Sequence, residues 1–256
     1  MGGAATCSRA CAQRVGTLGD APDTCAIIVA GGSGERFGNP RGKQFVEFAG
    51  LPLVAWSIMA FDHAPSVGHI VVVCPQGRMG EMRDEALARI ELEHEVTLAA
   101  AGAMRQDSVF SGIMASPDDL ALVAIHDGAR PLIEVPVIEK CLAAVRGRKD
   151  VDGAICASRA IDTLKVVDQE GRIVATPDRS AFWCAQTPQA FKRACVMAAH
   201  EAALLEGFVG TDDASLVERR GGTVVVVESP RDNIKITVPE DLSVAEATLR
   251  ARMGIV

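Results

Sequence analysis

Short apolar, β-branched runs alternate with stretches of helical period from residue 25 onward, and that alternation leaves the chain few folds to choose from. The runs are AIIVA (26–30), HIVVVC (69–74), EVTLAA (95–100), ALVAIHD (121–127) and GAICA (153–157). Between them, 53–61 behind Pro52, 81–90, 108–115 and 137–145 read as helices. Because the runs are apolar at consecutive rather than alternate positions, both faces of each strand need cover. This predicts an α/β fold with a doubly wound, mostly parallel sheet and helices on either side. Ligands of such sheets gather at the carboxyl ends of the strands, so the loops beginning at Gly31, Gly102 and Asp127 are expected to share one crevice.

The stretch 162–191 breaks the rhythm. TLKVV and RIVAT flank DQEG, which predicts a β-hairpin with Gly171 at the turn, too thin to be a domain of its own. It is expected to project as an arm, at about residues 160–190, and to pack against a second copy of the chain. Beyond it, 190–205 reads as a helix, 223–228 and 233–237 as strands, and the last segment as a helix behind a capping box of Thr237 and Glu240.

Residues 1–23 have neither the apolar core of a signal peptide nor any periodicity, which predicts a disordered extension ahead of one domain at 24–256. No run approaches a membrane-spanning length. A net charge of -7 gives no whole-molecule attraction for nucleic acid, so any polyanion must meet a local cluster of cations. None of the eight cysteines falls in a C-x-x-C pair, and most read as small buried hydrophobes of a reducing, cytoplasmic setting.

The segment CAIIVAGGSGERFGNPRGKQF (25–45) carries the chemistry. It is not a dinucleotide fingerprint: counted from Gly32 and Gly34, the third glycine position holds Phe37 and glycine comes one residue late. Nor is it a P-loop, since three residues rather than four separate Gly38 from Gly42, and Gln44 follows Lys43. What remains is a strand opening into a loop. Its small residues Ala30, Gly31, Gly32 and Gly34 let backbone N–H groups approach an anion, and Arg36 and Lys43 add charge suited to a triphosphate.

VAGGSGERFG…KQF resembles the nucleotide-binding signature of the sugar-nucleotide and polyol-phosphate nucleotidyltransferases. AGAMRQDSVFSGI (101–113), IHDGARPLI (125–133), DTLKVV (162–167), TPDRSAFWCAQTPQAF (176–191), GTDDASLVE (210–218) and DNIKITVPEDL (232–242) follow in order. With them the chain, from residue 25 to about 250, looks like the 2-C-methyl-D-erythritol 4-phosphate cytidylyltransferase family of the non-mevalonate isoprenoid pathway. The resemblance implies a Rossmann-like sheet, a single nucleotidyltransferase domain, a homodimer formed through the arm, and CTP and a polyol phosphate as substrates. An oxygen of the acceptor phosphate would attack the α-phosphorus of CTP and pyrophosphate would leave. Two anions must then approach one another, so catalysis would consist mostly of charge neutralisation and in-line positioning.

By this similarity Arg36, Lys43, Arg179 and Lys235 are the expected catalytic cations. Gly102, Ala103 and Ser108 would join the opening loop in holding the nucleotide, with the Gly102 loop meeting the base. Asp127, Arg130, Thr163 and Thr211 would surround the acceptor, and Asp127, with Asp232 as a second candidate, would hold Mg²⁺, since a hard cation prefers a carboxylate plus phosphate oxygens. His126 is expected to be structural, because the attacking phosphate is already ionised. Ribitol 5-phosphate cytidylyltransferase shares the loop and the overall pattern and stays open as an alternative, as does a non-catalytic nucleotide-binding module.

Overall fold

The computed structural model describes residues 21–32, 34, 37–39 and 41–254. The expected extension falls mostly at 1–20, and Arg36 falls between described positions, so both lie outside the described residues. Asp23, which the sequence reading assigned to the extension, belongs to the fold. Its N–H donates to the Ser66 carbonyl and its carbonyl accepts from Leu122 N–H at 3.0 Å, while its carboxylate takes a two-pronged bond from Arg146 at 2.7 and 2.8 Å.

In chain order the elements are β1 (Thr24–Val29), β2 (Glu47–Phe48), β3 (Leu51–Pro52), α1 (Leu53–Asp62), β4 (Val67–Cys74) and α2 (Met79–Glu81), which continues as irregular helical turns to Arg89. Then come β5 (Val96–Ala100), α3 (Arg105–Met114), β6 (Leu122–Asp127), α4 (Val135–Ala143), β7 (Gly153–Arg159), β8 (Val166–Val167) and β9 (Ile173–Ala175). The chain closes with β10 (Trp183–Lys192), α5 (Arg193–Glu206), α6 (Asp213–Arg219), β11 (Val224–Glu228) and α7 (Pro239–Arg252).

Seven strands form one sheet in the order β11-β7-β10-β6-β1-β4-β5. All neighbours run parallel except β10, which is antiparallel to both β6 and β7. The consecutive apolar residues of β1 show why the sheet is covered twice. Ala26 and Ile28 pack with Val54, Ile58 and Phe61 of α1 and Ile138 and Leu142 of α4, whereas Cys25 and Ile27 pack with Val109 and Ile113 of α3 and Val196 of α5. Alternate side chains of a strand point to opposite faces, so an uninterrupted apolar run fills both layers. Burial pushes the Cys25 thiol up to about 12, as expected for a cysteine used as a core hydrophobe.

Three expectations need correction. The helix read at 190–205 begins at Arg193, because β10 runs to Lys192 in the middle of the sheet. This strand hides behind a polar composition and a proline: its register shifts between Ala185 and Gln189, the gap that accommodates Pro188, and its buried Thr187 and Gln189 find partners far away in sequence. The strand read at 233–237 is irregular chain. The carbonyls of Asn233 and Ile236 accept from the side chains of Arg130 and Lys43, each at 2.8 Å, and the backbone bonds are isolated ones, Ile236 N–H to the Ala129 carbonyl and Asn233 N–H to the Pro230 carbonyl, rather than a strand ladder. The cap of α7 sits one residue later than read: Asp241 Oδ2 accepts from both Thr237 N–H (2.7 Å) and Val238 N–H (3.0 Å).

The hairpin is present as β8 and β9, paired antiparallel, with Gly171 at φ 79° in the turn. Val166, Val167, Ile173 and Val174 are about half exposed or more, from 47% to 62%. Among the described residues no helix is long and apolar enough to cross a membrane.

Candidate active site

The three loops anticipated from the strand pattern do meet. Val29 ends β1, Ala100 ends β5 and Asp127 ends β6, and the chain beyond each lines one cavity of about 750 Å³. Gly31, Gly32 and Gly34 form one wall, Gly102, Ala103 and Ser108 a second, and Asp127 with Ala129 a third, while Lys43, Arg105 and Lys235 also border the space.

Glycine is required where these walls crowd the backbone. A Cβ on Gly31 would fall 2.3 Å from the Ala101 Cβ, and Gly34 combines φ 71° with a Cβ position 2.9 Å from the Lys43 nitrogen. Gly31→Ala is therefore expected to displace the loop, lowering triphosphate affinity about tenfold and stability by about 1–3 kcal/mol. Calorimetric titration and urea melts check this, and unchanged affinity would contradict the role of the loop. Ala30, expected beside these glycines, does not border the cavity: its N–H donates to the Val73 carbonyl at 2.8 Å and continues the sheet.

The second wall is shaped by Ser108. Its hydroxyl accepts from Gly102 N–H at 3.1 Å and donates to the Met104 carbonyl at 3.0 Å, closing the loop of residues 102–104 onto the first turn of α3. Ser108 lies inside the helix and is not its cap; Asp107 does the capping by accepting from Met104 N–H at 3.0 Å.

Asp127 is the electrostatic centre. It is 7% exposed, and its carboxylate meets Lys235 Nζ at 2.9 Å, Arg130 Nε at 3.4 Å and Arg105 Nε at 3.5 Å. Burial opposes ionisation, yet Lys235, Arg105 and Arg130 together hold the carboxyl well below the usual carboxylate range. Behind it, His126 is fully buried. The Thr187 hydroxyl accepts from Asp127 N–H at 3.1 Å and donates to His126 Nδ1 at 3.0 Å, leaving His126 Nε2 to donate to the Arg130 carbonyl at 3.2 Å. This bonding is that of a neutral imidazole, and burial lowers its pKa to about 4. His126 is thus structural, as the sequence implied.

Lys43, between β1 and β2, and Lys235, on the irregular segment after β11, reach the cavity together. Lys43 Nζ donates to the Ile236 carbonyl, whose neighbour Lys235 reaches Asp127. Three cations and one carboxylate, all among the described residues, border the cavity. A chain of net charge -7 therefore presents a locally positive pocket to anions.

The remaining expected residues are placed elsewhere. Arg130 is 9% exposed and turned to Asp127 and the Asn233 carbonyl. Thr163 and Arg179 are exposed on the arm, Arg179 donating to the Ile161 carbonyl, and Thr211 is exposed ahead of α6; none of the three borders the cavity. Asp232 pairs with Arg252 at 2.8 Å, away from the cavity wall. The sequence reading missed Arg105. An arginine at a helix start carries no local signal that sets it apart from a solvated charge, and only its contact with Asp213 does so.

The IspD family model, 2-C-methyl-D-erythritol 4-phosphate cytidylyltransferase, matches residues 24–251. The chain belongs to the 2-C-methyl-D-erythritol 4-phosphate cytidylyltransferase family. It is 39% identical over 231 residues to a protein of that name from Geobacter metallireducens, covering 89% of this chain and 98% of the relative. It is 42% identical over 224 residues to one from Syntrophotalea carbinolica, covering 87% and 94%. Among solved structures it is similar to the 4-diphosphocytidyl-2C-methyl-D-erythritol synthase of Anaerococcus prevotii (TM-score 0.79, 28% identity, 89% of this chain and 96% of that one). It is likewise similar to the 2-C-methyl-D-erythritol 4-phosphate cytidylyltransferase of Thermus thermophilus (TM-score 0.69, 29% identity, 88% and 98%). In this family of nucleotidyltransferases, the cavity at the strand ends is the candidate active site.

Proposed function

We infer that the chain transfers CMP from CTP to 2-C-methyl-D-erythritol 4-phosphate, giving 4-diphosphocytidyl-2-C-methyl-D-erythritol and pyrophosphate, a step of isoprenoid biosynthesis. The observation that carries this reading is family membership across 24–251, joined to a cavity bordered by Lys43, Arg105, Lys235 and Asp127. A new bond forms between an oxygen of the acceptor phosphate and the α-phosphorus as the bond from that phosphorus to the bridging oxygen of pyrophosphate breaks. Negative charge builds on the α-phosphate and the leaving group, and preorganised cations in a part-enclosed cavity stabilise it. Lys43, near the glycine loop, serves the triphosphate. Lys235, held by Asp127, serves the acceptor. No side chain needs to take a proton, and a neutral buried His126 is not placed to do so.

Among the described residues no cluster of three or more His, Cys, Asp or Glu side chains could cage a metal. Of the two carboxylates, Asp127 and Asp232, only Asp127 borders the cavity, and it would hold Mg²⁺ together with triphosphate oxygens, the donors a hard cation prefers. When bound there, the ion would supply charge neutralisation at the phosphates. Thr163 and Arg179 lie on an arm whose valines and isoleucine stay exposed in a single chain, which supports a homodimer in which each arm brings these residues to the acceptor of the other copy. A cytoplasmic setting agrees with unpaired cysteines in the core.

The test is incubation of the purified chain with CTP, Mg²⁺ and either 2-C-methyl-D-erythritol 4-phosphate or ribitol 5-phosphate, following pyrophosphate and product mass. Turnover of the methylerythritol phosphate is expected. Turnover of the ribitol phosphate alone would move the acceptor assignment, and no pyrophosphate with either would leave a binding module.

A further inference from the structure

The first turn of α3 faces two places at once. Arg105, its first residue, borders the cavity and sends its guanidinium in two directions, Nε toward Asp127 at 3.5 Å and Nη1 to Asp213 Oδ2 at 2.8 Å. Gln106 grips the chain just before Asp213 with both ends of its amide: Nε2 donates to the Phe208 carbonyl at 3.1 Å and Oε1 accepts from Gly210 N–H at 2.9 Å. Thr211 lies between the stretch that Gln106 holds and Asp213.

Asp213 opens α6 and is 1% exposed. Its second oxygen meets His200 Nε2 at 3.2 Å, and the His200 ring stacks parallel on Phe110 of α3 with centroids 5.9 Å apart. Gln189 of β10 holds the same segment from the other side, donating to Asp212 Oδ2 at 2.8 Å and accepting from Ala214 N–H at 3.2 Å. Asp213 does not border the cavity, so whatever it contributes passes through Arg105 and the loop. A buried ion pair adds little stability over apolar packing of the same shape, and its recurrent use is to fix register. Here it fixes the loop of residues 208–212 against the helix that shapes the nucleotide wall.

We propose that Asp213 and Gln106 are positioning residues for the acceptor: with Arg105 they lock the Thr211 loop to the nucleotide cavity and so set the polyol phosphate in line with the α-phosphate. This deepens the CMP-transfer reading and rests on it. The two bonds from Gln106 act on the loop and not on the triphosphate, so their loss is felt in acceptor binding, whereas Asp213 acts on the loop and on Arg105 together.

The experiment uses the full chain and its Gln106→Ala and Asp213→Asn variants, measuring both KM values, kcat, CTP affinity by calorimetry without acceptor, and thermal melts. Gln106→Ala is expected to raise the KM for 2-C-methyl-D-erythritol 4-phosphate about tenfold and to lower kcat, with CTP affinity within about twofold of the parent. Asp213→Asn is expected to shift the same parameters further. Because Gln106→Ala strands no buried charge, it decides the matter even if Asp213→Asn does not fold. An unchanged acceptor KM in Gln106→Ala, a loss of CTP affinity as large as the acceptor effect, or a lowered melting temperature alone would overturn the proposal. Each of these refutes positioning while leaving CMP transfer intact, whereas a parent chain inactive with both acceptors overturns the two together.

Discussion

Lys43→Ala is expected to lower kcat/KM by a factor of hundreds, equally for every acceptor. Its ammonium is held against the Ile236 carbonyl at 2.8 Å, on the rim that also carries the glycine loop, and so it is already in place when charge develops on the triphosphate. Removing one preorganised donor of this type costs about 3–4 kcal/mol of transition-state stabilisation. Pyrophosphate release with two polyol phosphates checks it. A fall confined to one of them would assign Lys43 to the acceptor, and a fall of less than about tenfold would remove it from the catalytic set.

Asp127→Asn is expected to damage both activity and stability. The substitution keeps the shape but leaves Lys235, Arg130 and Arg105 without their common counter-charge. Breaking a buried pair costs about 3–5 kcal/mol, and because Lys235 is partly solvated the lower end, about 3 kcal/mol, is expected. Turnover should fall by about two orders of magnitude or more as Lys235 loses its anchor.

The pH dependence carries a sign that can be checked. The folded state holds the Asp127 carboxyl below its ordinary value near 3.8, so its contribution is fully present above that pH and is lost as pH falls through and below it. The stability gap between parent and Asp127→Asn should therefore shrink on acidification. Asp213, buried but paired with His200 and Arg105, and Asp23, partly buried but paired with Arg146, are lowered in the same sense, so the variant keeps some acid sensitivity of its own. Urea melts from about pH 7 to about pH 3 measure the gap. A gap that stays constant across this range would show that ionic coupling at Asp127 is not what the mutation removes.

Much of the site was legible in the chain. The AIIVA run followed by small residues placed the glycine loop at a strand end, and Lys43 was legible as a cation just beyond it. Asp127 was legible because a carboxylate closing a buried apolar run can point only into the crevice. Arg105 was not, since an arginine at a helix start resembles any solvated charge until Asp213, far along the chain, is seen to lie beside it. Lys235 falls in a segment whose local pattern predicts a strand, and among the described residues 233–237 form none. Its segment looks β-branched and alternating, but its carbonyls are taken by Arg130 and Lys43 rather than by a neighbouring strand. Pro188 and the polar residues around it likewise disguised β10, whose pairing depends on partners that local pattern does not report.

Sequence by itself determined the parallel framework, its two helical layers and the meeting of three loops at the strand ends. Apolar runs of strand length report burial of their own segment, and glycine reports local backbone demand. Only the tertiary structure decided that β10 enters the sheet antiparallel, that Asp127 gathers three cations, and that Lys43 is seated on a carbonyl 193 residues away. A charged or polar side chain satisfies itself with whatever group the folded chain brings within about 3 Å, and that choice is made by long-range packing, which no local pattern encodes.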